Sequence, residues 1–132
     1  MKFMLMMHAP ANAPQGAGLA SWKPEEVQRM IRFMHDLNAD LSAAGELASA
    51  EGLEYPPRPR IVTAQASGKP MVTDGPFVET KEFLTGYWIV DVANEARAFE
   101  IAARVSACPG PGGAPLNMPV EVRQVMAGPP PA

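Results

Sequence analysis

Residues 84–105 read LTGYWIVDVANEARAFEIAARV and join a strand pattern to a helix pattern. The first part, Leu84 to Val92, is rich in the aromatic and β-branched residues that favour strands. Asn94 is a residue type that caps helix amino termini. After it, apolar residues recur at helical spacing, at Ala98, Ile101, Ala102 and Val105. The stretch therefore predicts a strand followed directly by an amphipathic helix.

A similar strand and helix are predicted near the amino terminus. Phe3 to His8 is an apolar run suited to a buried strand, and a Pro- and Ala-rich loop follows over Ala9 to Gly18. Pro24 and the two acids after it predict a helix start, because proline fits the first helical position and acids complement the helix dipole. The helix is expected to end at Gly45. Its inner face is predicted to hold Val27, Met30, Ile31, Met34, Leu37, Asn38 and Leu41, all apolar except Asn38.

The remaining elements complete a recognisable order. They are a strand from Leu47 to Leu53, a breaker cluster from Tyr55 to Pro59, a hairpin of Arg60 to Ala66 and Pro70 to Thr73, a Pro- and Gly-rich loop from Cys108 to Pro119, and a strand from Val120 to Val125. With the hairpin treated as an insertion, the order is βαββαβ, the ferredoxin-like α+β arrangement. We expect one domain over residues 1–126 and a Pro-rich tail over residues 127–132.

A ferredoxin-like sheet of this size leaves one face without cover. Both helices pack on the same side of the sheet, so apolar residues on its other side stay open to water. Pairing the open faces of two chains would bury both of them. We therefore expect a homodimer in which two sheets form an α+β barrel.

The composition restricts the class of protein. The 132 residues include 11 Lys and Arg against 14 Asp and Glu, a net charge of −3, without a basic block to contact nucleic-acid phosphates. No apolar run approaches the roughly 20 residues that a membrane span needs. The single cysteine, Cys108, cannot form an internal disulfide and is expected to be inert. These features favour a cytoplasmic protein that binds neither nucleic acid nor a membrane.

The densest polar stretch, Val72 to Glu82, reads VTDGPFVETKE. Asp-Gly-Pro is a turn sequence, and on the residues alone a solvated loop is favoured over the floor of a pocket. The run nevertheless resembles the signature of the YCII-related, DGPF-domain family. Further matching segments lie in the expected order: the opening MKFML, Pro24 to Glu26, Ala44 to Leu47, Glu51 to Leu53, Gly86 to Trp88 and Val120 to Arg123.

This resemblance implies a dimeric α+β barrel with a pocket in each subunit and a His–Asp pair. The reactions of the family are mostly unassigned, and its members are similar in fold to small isomerases and monooxygenases that act on cyclic compounds. Some members are associated with sigma factors through gene position. The resemblance therefore implies a cofactor-independent isomerase or lyase acting on a small organic ligand. The alternative is a non-catalytic accessory or ligand-sensing protein associated with sigma-factor-dependent transcription.

His35 and Asp74 are the candidate catalytic pair. Histidine titrates near neutral pH and suits proton transfer, and Asp74 would orient the imidazole or share its proton. His35 lies on the flank of the apolar stripe of its helix, where it faces either a cleft or solvent. The candidate substrate-binding residues are Glu51, Arg60, Phe77, Glu79, Lys81 and Trp88.

The histidine, cysteine and methionine content bears on other kinds of site. His8 ends the first strand and is expected to be structural, with pocket lining as the alternative. Two His and one Cys without close spacing predict no metal site. The nine methionines are expected to pack in the core, with a pocket for a flat organic ligand as the alternative.

Overall fold

The computed structural model describes residues 1–11, 19–54, 57–77 and 79–130. Within them lie the strands and α-helices β1 (Lys2–Pro10), α1 (Pro24–Ala43), β2 (Leu47–Gly52), β3 (Arg60–Thr63), β4 (Met71–Asp74), β5 (Glu82–Asp91), α2 (Glu95–Ser106) and β6 (Val120–Gln124). Some predicted features lie outside the described residues: most of the Ala9 to Gly18 loop, the first two residues of the breaker cluster, Val78 and the last two residues of the tail.

The main sheet has four strands in the order β2-β5-β1-β6, and each neighbouring pair is antiparallel. With one helix after β1 and one after β5, this order is that of a ferredoxin-like α+β fold. The predicted fold class is confirmed at this level. The strands β3 and β4 form a separate two-stranded sheet, in which Val62 pairs with Val72. The inserted hairpin therefore adds no strand to the main sheet.

The core lies between one face of the main sheet and the two helices. Phe3 and Leu5 of β1 pair with Val90 and Trp88 of β5, and alternation places these four side chains on the same face. The helices cover this face with Leu37 and Leu41 of α1 and with the apolar stripe of α2, and these residues form a single buried cluster. All four predicted stripe residues of α2 are buried, namely Ala98, Ile101, Ala102 and Val105.

The helix ends follow the sequence predictions. Gly45 has a φ of 71°, in the region that favours glycine, and the N–H of Glu46 donates to the carbonyl of Leu41 at 2.8 Å to close the end of α1. At the start of α2, the Asn94 side chain accepts a hydrogen bond from the N–H of Arg97 at 2.9 Å. Both signals depend on residues that are close together in the sequence, which explains why the sequence predicts them.

The opposite face of the sheet, the open face, carries apolar side chains that neither helix covers. Met4 pairs with Ile89 and Met6 pairs with Tyr87, alternating with the core residues of the same two strands; Met4, Tyr87 and Ile89 are partly exposed, whereas Met6 is buried. In the part of the chain that the structure describes, no helix is long and apolar enough to cross a membrane.

Candidate functional site

A cavity of about 160 Å³ lies between α1 and the sheet, at the end where β2 and β5 pair. Two methionines, Met7 of β1 and Met34 of α1, contribute apolar surface to its wall. The remaining lining residues are Asn38, Ala50, Glu51, Gly52, Thr85, Gly86, Tyr87 and Trp88. An apolar cavity of about 150 Å³ is large enough to hold one benzene ring. The site therefore matches a ligand with a single small ring.

A hydrogen bond between two lining residues fixes the wall of the cavity. The indole Nε1–H of Trp88 donates to Asn38 Oδ1 at 2.8 Å, and Trp88 is only 6% exposed. A buried indole N–H needs such an acceptor, because leaving it unpaired costs free energy. With its oxygen accepting from Trp88, Asn38 keeps the two donors of its amide nitrogen for another group.

The floor of the cavity depends on a β-bulge and on a glycine. The pairing of β1 with β5 shifts between Met7 and His8, and the hydroxyl of Thr85 donates to the carbonyl of Met7 at 3.1 Å. At Gly86 a Cβ atom would lie 3.1 Å from the carbonyl oxygen of Glu51. Glycine thus allows β2 to approach β5 closely at the cavity.

The proposed catalytic pair stays a prediction. His35 is exposed on α1, and Asp74 ends β4 with its side chain 90% exposed. The carboxylate of Asp74 forms an ion pair with Arg60, whose Nε lies 3.4 Å away. Among the described residues, no hydrogen bond or ion pair joins His35 to Asp74, and neither lines the cavity.

Two of the six predicted substrate-binding residues line the cavity, and the other four lie outside it. Glu51 and Trp88 line the cavity. Arg60 is held by its ion pair on the hairpin, and Phe77, just beyond that hairpin, is 65% exposed. The two remaining candidates, Glu79 and Lys81, are exposed in the loop that leads to β5.

Besides Glu51, the cavity has two polar residues that the sequence did not mark as site residues, Asn38 and Thr85. Asn38 was the single polar position in the predicted apolar stripe of α1, and this irregularity was the available signal for a site. The position of Thr85 depends on the β-bulge, which has no clear mark in the sequence. Met7 and Met34 pack against the core, as expected, and they also line the cavity, so the ligand-pocket interpretation stays a prediction.

Other polar groups serve the fold. Arg97 donates to both carboxylate oxygens of Glu46, which holds the pKa of Glu46 below its usual value and raises that of Arg97.

Burial raises the pKa of the Cys108 thiol, as expected for an inert cysteine. In the described ranges, no cluster of three or more His, Cys, Asp or Glu residues could hold a metal ion.

The fold and the cavity define a ferredoxin-like α+β protein with a small pocket beneath its first helix. The family model of the YCII-related domain matches residues 1–110, and the chain belongs to this family. The chain is also 32% identical over 87 residues to an uncharacterized protein of Rhizobium meliloti (strain 1021). That match covers 66% of this chain and 69% of the relative. The resemblance noted in the sequence is thereby confirmed.

Proposed function

We propose that the protein is a small-molecule-binding member of the YCII family, with its ligand in the cavity beneath α1. The observation that carries this proposal is the cavity itself, whose volume of about 160 Å³ suits one small ring. Pockets that bind small organic molecules combine mostly apolar walls with a few placed polar groups. Met7, Met34 and Trp88 supply such walls, and Asn38 supplies the polar group.

The amide of Asn38 favours a ligand with a hydrogen-bond acceptor, and Glu51, which also lines the cavity, disfavours an anionic ligand. The oxygen of Asn38 already accepts from Trp88, so its amide nitrogen is the group that can donate to a ligand. A carbonyl oxygen on a six-membered ring would satisfy this donor while the ring contacts the methionines. Cyclic ketones are therefore the class of ligand that we expect.

Cyclohexanone and cyclohexanecarboxylate are suitable probes, because they share a ring and differ in their polar group. In a Trp22→Phe background, the fluorescence of Trp88 reports on the cavity. We expect saturable changes with the ketone and weaker ones with the carboxylate, which Glu51 would repel. Ala50→Leu would fill the cavity and remove binding, whereas Ala48→Leu, an exposed substitution on the same strand, would retain it. Unchanged binding in Ala50→Leu would contradict this site.

We also propose that two chains pair through the open face to form an α+β barrel in the cytoplasm. Its support is the row of side chains that neither helix covers, among them Met4, Tyr87 and Ile89. Sedimentation equilibrium at micromolar concentration tests this. We expect a dimer for the wild type and a monomer for Ile89→Lys, because the lysine would bury a charge in the contact. A monomeric wild type would contradict the pairing.

Proton-transfer chemistry, as in an isomerase or lyase, remains part of the proposal. His35 with Asp74 is the pair that the family resemblance implies, and its supporting feature is histidine's suitability as an acid or base. Replacing both residues in one variant would leave binding of the ligand intact and would abolish its conversion to product.

The second candidate function is that of an accessory or ligand-sensing protein that acts through a protein partner such as a sigma factor. The hairpin of β3 and β4 favours this alternative, because Val62 and Val72 are more than half exposed and Phe77 lies nearby on the surface. Calorimetry with a purified extracytoplasmic-function sigma factor tests it. Binding that Val72→Lys weakens would support this role, and absence of binding would count against it.

A further inference from the structure

A second polar site lies at the edge of the main sheet, where β1 stops and β6 begins. The Nε2–H of His8 donates to Glu121 Oε1 at 3.2 Å across the pairing of β1 with β6. The side chain of His8 is 27% exposed and that of Glu121 is 56% exposed. A carboxylate can only accept, so this contact places the proton of a neutral imidazole on Nε2.

This pair lines a groove of about 460 Å³. Its other lining residues are Glu82, at the start of β5, and Pro119 and Val120, at the start of β6. The groove and the cavity beneath α1 share no lining residue, so the groove is a separate site. No Lys or Arg is among these lining residues, and the fixed charges at the groove are negative.

The geometry of the pair matches that of an oriented base. With Nε2 directed to Glu121, the second ring nitrogen, Nδ1, has no hydrogen-bond partner among the described residues. When a carboxylate orients an imidazole through one ring nitrogen, the other ring nitrogen can accept a proton. Glu121 would stabilise the imidazolium that forms, and together with Glu82, which also lines the groove, it would repel an anionic substrate.

We propose that His8 and Glu121 form a general-base site in this groove, acting on an uncharged or cationic organic molecule with an acidic C–H bond. The C–H bond breaks and its proton moves to Nδ1, while the electron pair stays on the substrate. Return of the proton to a neighbouring atom completes an isomerisation that needs no oxidant or reductant. His8 is the catalytic residue and Glu121 is its positioning residue.

The proposed base site is independent of ligand binding in the cavity, and either proposal can fail without the other. A cavity that binds cyclohexanone says nothing about whether His8 acts as a base in the groove. Conversely, base activity in the groove does not need the cavity to be occupied. We therefore choose for the groove a probe that loses a proton to a base, and we measure the rate of that reaction.

The probe is 5-nitrobenzisoxazole, an uncharged carbon acid. A base removes its ring C–H proton, the electron pair forms a nitrile, and the N–O bond breaks to release a coloured phenolate. We expect the wild-type protein to raise the rate at least about 100-fold over buffer, within the usual range for a positioned base. His8→Asn is expected to return the rate to that of buffer.

Substitutions of Glu121 separate positioning from a merely structural role. We expect Glu121→Gln to lower kcat about tenfold with KM unchanged, and Glu121→Asp to restore part of kcat. Glu25→Gln, a matched exposed substitution on α1, should leave the rate unchanged. Circular dichroism verifies that each variant is folded. A wild-type rate equal to that of buffer, or a folded His8→Asn variant that keeps its activity, would overturn the proposal.

Discussion

The hydrogen bond between Trp88 and Asn38 provides the most direct energetic test of the cavity wall. Asn38→Ala removes the acceptor of an indole N–H that lies 2.8 Å from it. Because Trp88 is only 6% exposed, its N–H loses a partner that bulk water does not readily replace. Trp88→Phe removes the donor instead, and the two changes together form a double-mutant cycle.

The expected magnitude follows from two opposing contributions. Leaving a buried donor without a partner costs about 1–3 kcal/mol. Alanine is a better helix former than asparagine by up to about 0.7 kcal/mol, which favours the variant because Asn38 lies within α1. We therefore expect Asn38→Ala to destabilise the wild type by about 1–2 kcal/mol. In the Trp88→Phe background the helix contribution remains alone, so the same substitution becomes neutral or slightly stabilising.

Urea unfolding followed by circular dichroism gives the four free energies of unfolding that the cycle needs. Gln28→Ala, an exposed substitution in the same helix, is the control and should lack any coupling to Trp88. If Asn38→Ala has the same effect with and without the indole, the hydrogen bond does not hold the cavity wall. In that case the ligand chemistry inferred from Asn38 would also lose its basis.

Three further predictions concern the fold. Arg97 holds the pKa of Glu46 below its ordinary value of 4.5, so the stabilisation is present above that value and is lost as the pH falls through the folded-state pKa. Urea titrations should therefore show a larger loss of stability on acidification for the wild type than for Glu46→Gln. Asn94→Ala removes the side-chain cap of α2 and should cost about 1 kcal/mol in the same assay. Gly45→Ala should cost about 1 kcal/mol because its φ is 71°, although a Cβ would meet no other atom. Gly128→Ala is the control and should change thermal stability little. If Gly45→Ala and Gly128→Ala lowered thermal stability equally, the φ of Gly45 would not explain the cost.

The sequence predicts the regular elements well because their signals act over short distances. The aromatic and β-branched run before Asn94 is a strand, and the stripe from Ala98 to Val105 is buried. Gly45 ends the first helix region through its own backbone conformation. The order of these elements then restricts the topology to few solutions, and the observed strand order is one of them.

The sites are harder to predict from the sequence because they depend on contacts between distant segments. Trp88 and Asn38 are 50 positions apart, and His8 and Glu121 are 113 positions apart. Spacing along the chain carries no information on such distances. The sequence directed attention to Asp74, because its motif is conspicuous, but in the structure this carboxylate pairs with Arg60 on an exposed hairpin.

The sequence by itself determined the family, the α+β class and the limits of the helices, since these depend on local patterns and on a distinctive motif. The tertiary structure alone decided which polar residues meet. Strand pairing brings His8 beside Glu121, and packing of α1 on the sheet brings Asn38 to Trp88. The physical reason is that a hydrogen bond requires atoms within about 3 Å, and only the folded chain sets that distance for residues far apart in sequence.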